Sequence, residues 1–263
     1  MGEFVRVEVA SGVARVCLNR SELHNAFNEI MIQELSETFA SLHKDAQVRA
    51  VVLEGVGKSF CAGADLHWMK KMVDYTFEQN VEDAQELSRM LKTIYHCGKP
   101  VIARVHGAAF GGGVGLIAAC DMAIAVESAT FCLSEVKLGL LPAVISPFVL
   151  KKIGEAAAHR YFLTAERFSA QEAYRIGLVS EVVPDEAALD QKLDSILQAI
   201  QANGPEAIAF CKILIDKICP FNWDGAVDIT TKMIAERRAS AEGQEGMRAF
   251  LEKRLPVWVQ NSG

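Results

Sequence analysis

The sequence has no excess of positive charge, no paired-cysteine motif and no apolar run long enough to cross a bilayer. Each absence removes a class of function. The 27 Lys+Arg stand against 33 Asp+Glu, a net charge of −6 with pI about 5.6. A general nucleic-acid binder needs a basic field to neutralise phosphate, so no nucleic-acid partner is expected. The charge-free stretches Gly107–Cys120 and Leu138–Leu150 contain Gly or Pro. Both fall short of the roughly 20 residues of a spanning helix, so no membrane partner is expected. The start, Met1 to Arg6, lacks the apolar core of a signal peptide and has Arg6 where myristoylation needs Ser or Thr. The 7 cysteines (Cys17, Cys61, Cys97, Cys120, Cys132, Cys211, Cys219) form no CxxC pair. Scattered through apolar runs, they read as reduced core thiols of a cytoplasmic protein.

What is present is an ordinary globular composition. Of 263 residues 51% are apolar and 23% charged, enough for one large domain or a domain with a small appendage. The first 135 residues or so alternate between strand and helix patterns. Two β-type segments flank Ser11-Gly12 and predict a hairpin. Asn28 is a candidate N-cap for a helix with Met31, Leu35, Phe39 and Leu42 on one face. Arg49–Glu54, Val101–Val105, Met122–Val126 and Thr130–Leu133 read as buried strands, and Val81–Tyr95 as a helix ended by Pro100. After Ser146 the pattern turns helical: Pro147–Gly154, Glu155–Thr164, Ala170–Ile176, Glu186–Ala202 and Pro205–Ile218, with a strand-like break at Leu178–Val183. No low-complexity linker or short internal repeat is visible. The expectation is an α/β core with mainly parallel pairing, followed by a helical C-terminal region.

Several familiar site motifs fail on inspection. Gly57-Lys58-Ser59 resembles the end of a P-loop, but its first glycine would fall at Val52. A GxGxxG starting at Gly111 would need glycine where Leu116 stands. No GxSxG nucleophile elbow occurs, and the 6 histidines show no HxxxH spacing, so no metal site is expected.

Three features remain. Phe60-Cys61-Ala62-Gly63-Ala64-Asp65 and Gly111-Gly112-Gly113 are small-residue loops leading into helices. Glycine and alanine admit a ligand close to the backbone, and two converging N–H groups would make an oxyanion hole. Tight helix–strand packing is the alternative. The third is Glu135, a carboxylate in the mainly apolar segment Cys132–Gly139. Burial would raise its pKa toward neutrality and suit it to proton transfer. A salt bridge to Lys137 or an arginine is the alternative.

Together these pieces resemble the enoyl-CoA hydratase/isomerase (crotonase) superfamily over nearly the whole chain. The motifs are Leu18-Asn19-Arg20 with Asn25-Ala26, Phe60–Asp65, His106–Gly113, Ala119-Cys120-Asp121, Ser134-Glu135 with Leu138-Gly139, Ala170–Val179 and Phe250–Arg254. Finer features resemble bacterial methylglutaconyl-CoA hydratases and their isohexenylglutaconyl relatives: Asp65–Met69, Leu133–Leu140, Pro142–Pro147 and Arg160–Phe168.

The resemblance implies an α/β crotonase (ClpP-like) fold. This is a repeated ββα spiral core over residues 1–195 with a helical trimerisation region over 196–263. It implies a lyase-type hydratase that adds water to a 2-enoyl-CoA, such as branched 3-methylglutaconyl-CoA. A Δ3,Δ2-enoyl-CoA isomerase or an acyl-CoA-binding pseudoenzyme are the alternatives. It implies backbone donors at Ala64 and Gly112 and Glu135 as the acid/base. Coenzyme A contacts are expected at His24, Ala26, Ala62, Asp65 and Leu66, with Lys253 at the phosphate–adenine end. The expected partners are an acyl-CoA and further copies of the chain, as homotrimer or homohexamer. No cofactor is expected beyond the coenzyme A of the substrate. One departure stands out. Typical family hydratases carry a first glutamate two residues after the GGG run, and here that position is Gly115. The glycine-rich segment that follows Ile/Leu-Pro in the family is also replaced, by Ala143-Val144-Ile145-Ser146, which would reshape the acyl pocket.

Overall fold

The computed structural model describes residues 2–219 and 223–260. The chain opens with the predicted hairpin, β1 (Val5–Ala10) and β2 (Val13–Leu18), turning through Ser11 and Gly12 at positive φ. Helix α1 (Glu29–Lys44) starts where the Asn28 side chain accepts from the Met31 N–H at 3.1 Å, and it buries Met31, Ile32, Leu35, Phe39 and Leu42. Then come β3 (Ala50–Gly55), β4 (Ser59–Cys61), α2 (Leu66–Met72) and α3 (Phe77–Tyr95). Helix α3 begins earlier than its apolar periodicity predicts. Thr76 and Gln79 form a reciprocal capping box, which supplies orphan N–H groups with acceptors independently of core packing.

The chain continues with β5 (Val101–Val105), β6 (Ala108–Phe110), α4 (Gly112–Ala119), β7 (Met122–Val126), β8 (Thr130–Cys132) and a 3-10 turn at Glu135–Leu138. Helix α5 (Ser146–Thr164) bends at Gly154, whose φ of 69° divides it where the sequence predicts two helices. Next are β9 (Phe168–Ser169), α6 (Ala170–Arg175), β10 (Glu181–Val183) and α7 (Glu186–Gln201). The C-terminal helices are α8 (Pro205–Ile218), α9 (Trp223–Ala239), α10 (Ala241–Leu251) and α11 (Val257–Gln260).

Two sheets organise these elements: a six-stranded one in the order β1-β2-β3-β5-β7-β10 and a four-stranded one in the order β4-β6-β8-β9. Among the described residues only the β1/β2 and β8/β9 pairs are antiparallel. The strands β3, β5 and β7 therefore each enter the large sheet, and β4, β6 and β8 follow them into the small sheet before a helix returns the chain. That is a ββα unit wound three times in parallel. The sequence shows no short repeat because the units share geometry rather than residues. The small-sheet strands are two or three residues long, too short to display periodicity, so β4 and β6 lie in segments that read as loops.

The core fills the space between sheets and helices with Leu53, Phe60, Met90, Leu116, Ile124 and Phe131, all fully buried. Helix α7 passes through residue 195, the expected domain division. Its buried Leu189, Leu193, Leu197 and Ile200 belong to the α/β core. Helix α8 has no fully buried residue in the single chain. This corrects the expectation for two thiols. Cys211 and Cys219 on and after α8 are exposed, whereas Cys61, Cys97, Cys120 and Cys132 are buried. Burial pushes the Cys61 and Cys120 thiols up to about 12, which leaves them unreactive.

Candidate active site

The three repeated units place equivalent loops at one edge of the small sheet. Strand β4 runs into Ala62–Asp65, β6 into Gly111-Gly112, and β8 into Ser134-Glu135. The first two loops touch. Gly63 has φ 93°, and a Cβ there would stand 2.8 Å from the Phe110 carbonyl oxygen and 3.7 Å from the Gly112 nitrogen. Only glycine fits. Segment 24–27 lies alongside 62–65. The Ala62 N–H donates to the His24 carbonyl at 3.0 Å, Phe27 N–H to Gly63 at 2.9 Å, and Asp65 N–H to Phe27 at 3.0 Å. Phe27 and Ala64 thus form an isolated parallel bridge. In that bridge the Ala64 N–H faces away from Phe27, while the Gly112 N–H belongs to the open first turn of α4. Among the described residues neither N–H donates to a protein acceptor.

Phe27 fixes both loops at once. Its backbone bridges Ala64 and its ring lies against Gly112, where a Cβ would come within 2.8 Å of Cε1 and closer still to Cζ. The ring is 1% exposed and sits 6.0 Å from the Trp68 ring. Sequence reading missed this residue, because a buried phenylalanine gives no signal beyond core packing.

Glu135 opens the 3-10 turn after β8 and is half-buried. A Cβ on Gly111 would lie 3.2 Å from its Oε1. Its Oε2 is buried with no hydrogen-bond partner, and among the described residues it forms no salt bridge with Lys137 or any arginine. Burial raises its pKa, opposed only by its own backbone N–H. A carboxyl with one buried, unpartnered oxygen, beside the glycine loop that carries the unused Gly112 N–H, is equipped to carry a proton.

Gly115, on α4, packs against an aliphatic neighbour. A side chain at Gly115 would meet the Ile145 Cβ at 2.8 Å and its Cγ2 more closely. Ile145 is 3% exposed, so it has little room to yield. The two departures noted in the sequence, at 115 and at 143–146, are therefore one coupled change: Ile145 fills the volume that a side chain at 115 would take. Gly115→Ala is expected to destabilise the protein by ~1–3 kcal/mol through overpacking. Ile145→Ala in the same chain should restore most of that loss, as a double-mutant cycle of melting temperatures would show. Additive effects would disprove the coupling.

The remaining expected residues divide into two groups. His24, Ala26, Ala62, Asp65 and Leu66 lie together along the paired segments 24–27 and 62–66. His24 holds φ 52° with Nδ1 at 3.1 Å from the Ser59 hydroxyl, and Leu66 is 80% exposed at the start of α2. Asp65 is 3% exposed and fully engaged. It takes the Arg20 guanidinium at 2.7 Å and the His67 and Trp68 N–H groups at 2.6 and 3.2 Å. Burial opposes its ionisation, but these hydrogen bonds outweigh burial and hold its carboxyl below the usual range. Arg20 also donates to the Ala26 carbonyl at 2.6 Å, so the ion pair clamps segment 20–26 to the Ala64 loop. Lys253 stands apart, exposed on the turn after α10 with φ 53°.

Residues 8–261 match the Enoyl-CoA hydratase/isomerase family. The enoyl-CoA hydratase ACTT6 of Alternaria alternata is 35% identical over 253 residues, covering 95% of this chain and 82% of the relative. The crystal structure of an enoyl-CoA hydratase from Shewanella pealeana superposes with a TM-score of 0.94 at 44% identity, covering 97% of this chain and 96% of the other. Pseudomonas aeruginosa AtuE gives a TM-score of 0.94 at 38% identity, covering 98% and 100%. With the spiral of ββα units, the paired small-residue loops and this agreement over almost every residue, the chain belongs to the enoyl-CoA hydratase/isomerase family.

Proposed function

We propose that the protein is a hydratase adding water to a 2-enoyl-CoA, with a branched acyl group of the 3-methylglutaconyl type. The observation that carries this reading is the unpartnered Oε2 of Glu135 beside the Gly111-Gly112 loop, which in turn touches the Gly63-Ala64 loop and leaves the Ala64 and Gly112 N–H groups free. The thioester oxygen would accept from both N–H groups. Glu135 takes a proton from water as the water oxygen bonds to C3. The C2=C3 electron pair moves to the C2–C1 bond, placing negative charge on the thioester oxygen. Glu135 then returns the proton to C2, and one water has been added. The thioester is the electron sink, so the step uses no further cofactor.

Coenzyme A would lie along His24, Ala26, Ala62, Asp65 and Leu66, with Lys253 reaching its phosphate–adenine end, in a neighbouring copy where the chain assembles as a trimer or hexamer. The exposed Ile213, Ile215, Phe250 and Leu251 on the C-terminal helices support such an assembly. Among the described residues no helix is long and apolar enough to cross a membrane. A cytoplasmic location is part of the same proposal.

Ile145 favours a second reading. With Ile145 filling the volume beside Gly115, where the family's first glutamate would stand, Glu135 alone would shuttle a proton from C2 to C4 of a 3-enoyl-CoA, as an isomerase does. Incubation with 2-enoyl-CoA esters, including 3-methylglutaconyl-CoA, decides between the two. A hydratase removes the conjugated enoyl-thioester absorbance and yields the 3-hydroxyacyl-CoA. An isomerase leaves that absorbance intact and generates it from a 3-enoyl-CoA. A pseudoenzyme binds both esters and converts neither.

A further inference from the structure

Helix α2 starts at Leu66, directly after the Ala64-Asp65 loop, so whatever holds α2 also sets the direction of the Ala64 N–H. Its hold on the molecule is narrow. Trp68 is the one fully buried residue of the helix, whereas Leu66 at its start is 80% exposed. The Trp68 backbone N–H donates to the Asp65 carboxylate at 3.2 Å. Its ring sits 6.0 Å from the Phe27 ring, which in turn lies against Gly112. Trp68 is therefore joined to both donor loops, to one through the chain and to the other through Phe27. Its indole N–H donates to the Asp83 carboxylate on α3 at 3.0 Å.

Asp83 stands beyond the first turn of α3, where aspartate is a poor helix former and gains nothing from the helix dipole. It is half-buried, and burial pushes its carboxyl up; the indole N–H opposes that rise and the Glu29 charge adds to it. A half-buried carboxylate without a cation is destabilising, and what it does here is accept from a buried indole, which needs an acceptor. The other tie between α2 and the segment after Phe27 is the Lys71–Glu29 ion pair. Both of its side chains are exposed, and such pairs contribute little.

We infer that Asp83 is a positioning residue for the reaction, fixing the spacing of the Ala64 and Gly112 N–H groups through its hydrogen bond to Trp68. The inference rests on the oxyanion reading above and names a residue outside the site on which that site depends. The bond acts on direction more than on attraction. An indole packed against Phe27 by contact alone can turn about its side-chain bonds, whereas a donor and an acceptor on two different helices select one orientation. If Trp68 turned, the wall behind Phe27 would be lost and the first turn of α2 would shift. The two N–H groups would then no longer converge. A displacement of about 1 Å at a reacting centre can cost ~100-fold in rate.

The test reads the carbonyl of a bound thioester by infrared difference spectroscopy, using butyryl-CoA isotope-labelled at that carbonyl and the full chain. The ester is saturated, so the reading does not depend on turnover. Hydrogen bonds to the oxygen lower the stretching frequency, and the unaltered protein is expected to show a downshifted band. Asp83→Ala should lose most of that downshift. On whichever enoyl-CoA ester the protein converts, it should lower kcat ~10–100-fold with KM within about threefold. Trp68→Phe keeps an aromatic ring but removes the N–H, and it should do the same. The double variant should be no worse than either single one, since both act through one bond. Asp83→Asn keeps an acceptor and should restore the band and most of kcat. If the alanine variant does not fold, Trp68→Phe and Asp83→Asn carry the same comparison. A lower melting temperature with the band and kcat per folded molecule unchanged would make Asp83 structural only and overturn the inference. An asparagine variant as impaired as the alanine one would do so too. An unshifted carbonyl in the unaltered protein would overturn the oxyanion reading itself, whereas a shifted band that both Asp83→Ala and Trp68→Phe leave in place would overturn only the role of Asp83.

Discussion

Replacing Glu135 with glutamine is expected to lower turnover at least ~100-fold while acyl-CoA binding is retained, the usual scale of a lost general acid–base group. Glutamine keeps the volume and one acceptor but cannot exchange a proton. The same variant separates catalysis from folding. Burial raises the Glu135 pKa in the folded chain, so the native state holds that proton more tightly than the unfolded state does. Stability therefore falls as pH rises from the unfolded to the folded pKa, and above the folded pKa the full cost of the buried charge is present. Glu135→Gln should consequently melt no lower than the unaltered protein at pH 8, and rise by ~1–3 °C. The hydration rate should fall as pH drops through this raised pKa, because the ionised form must take the proton from water. Near-normal turnover in the glutamine variant would remove Glu135 from the chemistry.

Gly112→Ala is expected to cost ~100–1000-fold in kcat with a smaller change in KM, the scale of one lost oxyanion donor. The new methyl group would stand 2.8 Å from the Phe27 Cε1, and the ring cannot swing away because Trp68 and the core enclose it. The Gly112 loop must therefore move, and its N–H moves with it. Phe27→Leu in the same chain frees space and should recover part of the lost kcat, measured against Phe27→Leu alone. Simple loss of stability would lower the melting temperature of Gly112→Ala without changing kcat per folded molecule, so kcat is the deciding quantity. An alanine variant with unaltered kcat would show that this N–H does not touch the reacting thioester.

Much of the fold was legible because its cause is local. The Ser11-Gly12 turn, the Asn28 cap, the Gly154 break and the Gly204–Pro205 start of α8 are each set by residues within a turn of one another. The small sheet was not legible. Strands β4 and β6 are three residues each, and β9 only two, so they acquire identity from neighbours remote in sequence. The same limit applied to the thiols: Cys211 lies in α8 and Cys219 just after it, and both stay exposed because this chain does not cover the helix's outer face.

The candidate site divides along the same line. Sequence alone singled out the two small-residue loops and Glu135, because glycine and an isolated carboxylate among apolar residues are chemically conspicuous. It also marked Gly115 and the segment 143–146 as departures, but as two separate ones. Only the tertiary structure decided that Ile145 and Gly115 share one volume, that Phe27 spaces the two backbone donors, that Arg20 is committed to Asp65, and that Asp83 holds Trp68 beside Phe27. These are relations between residues 15 to 85 positions apart. Local sequence carries propensity and charge over a few residues, whereas the closeness of distant side chains is created by strand order and by the packing of a closed core.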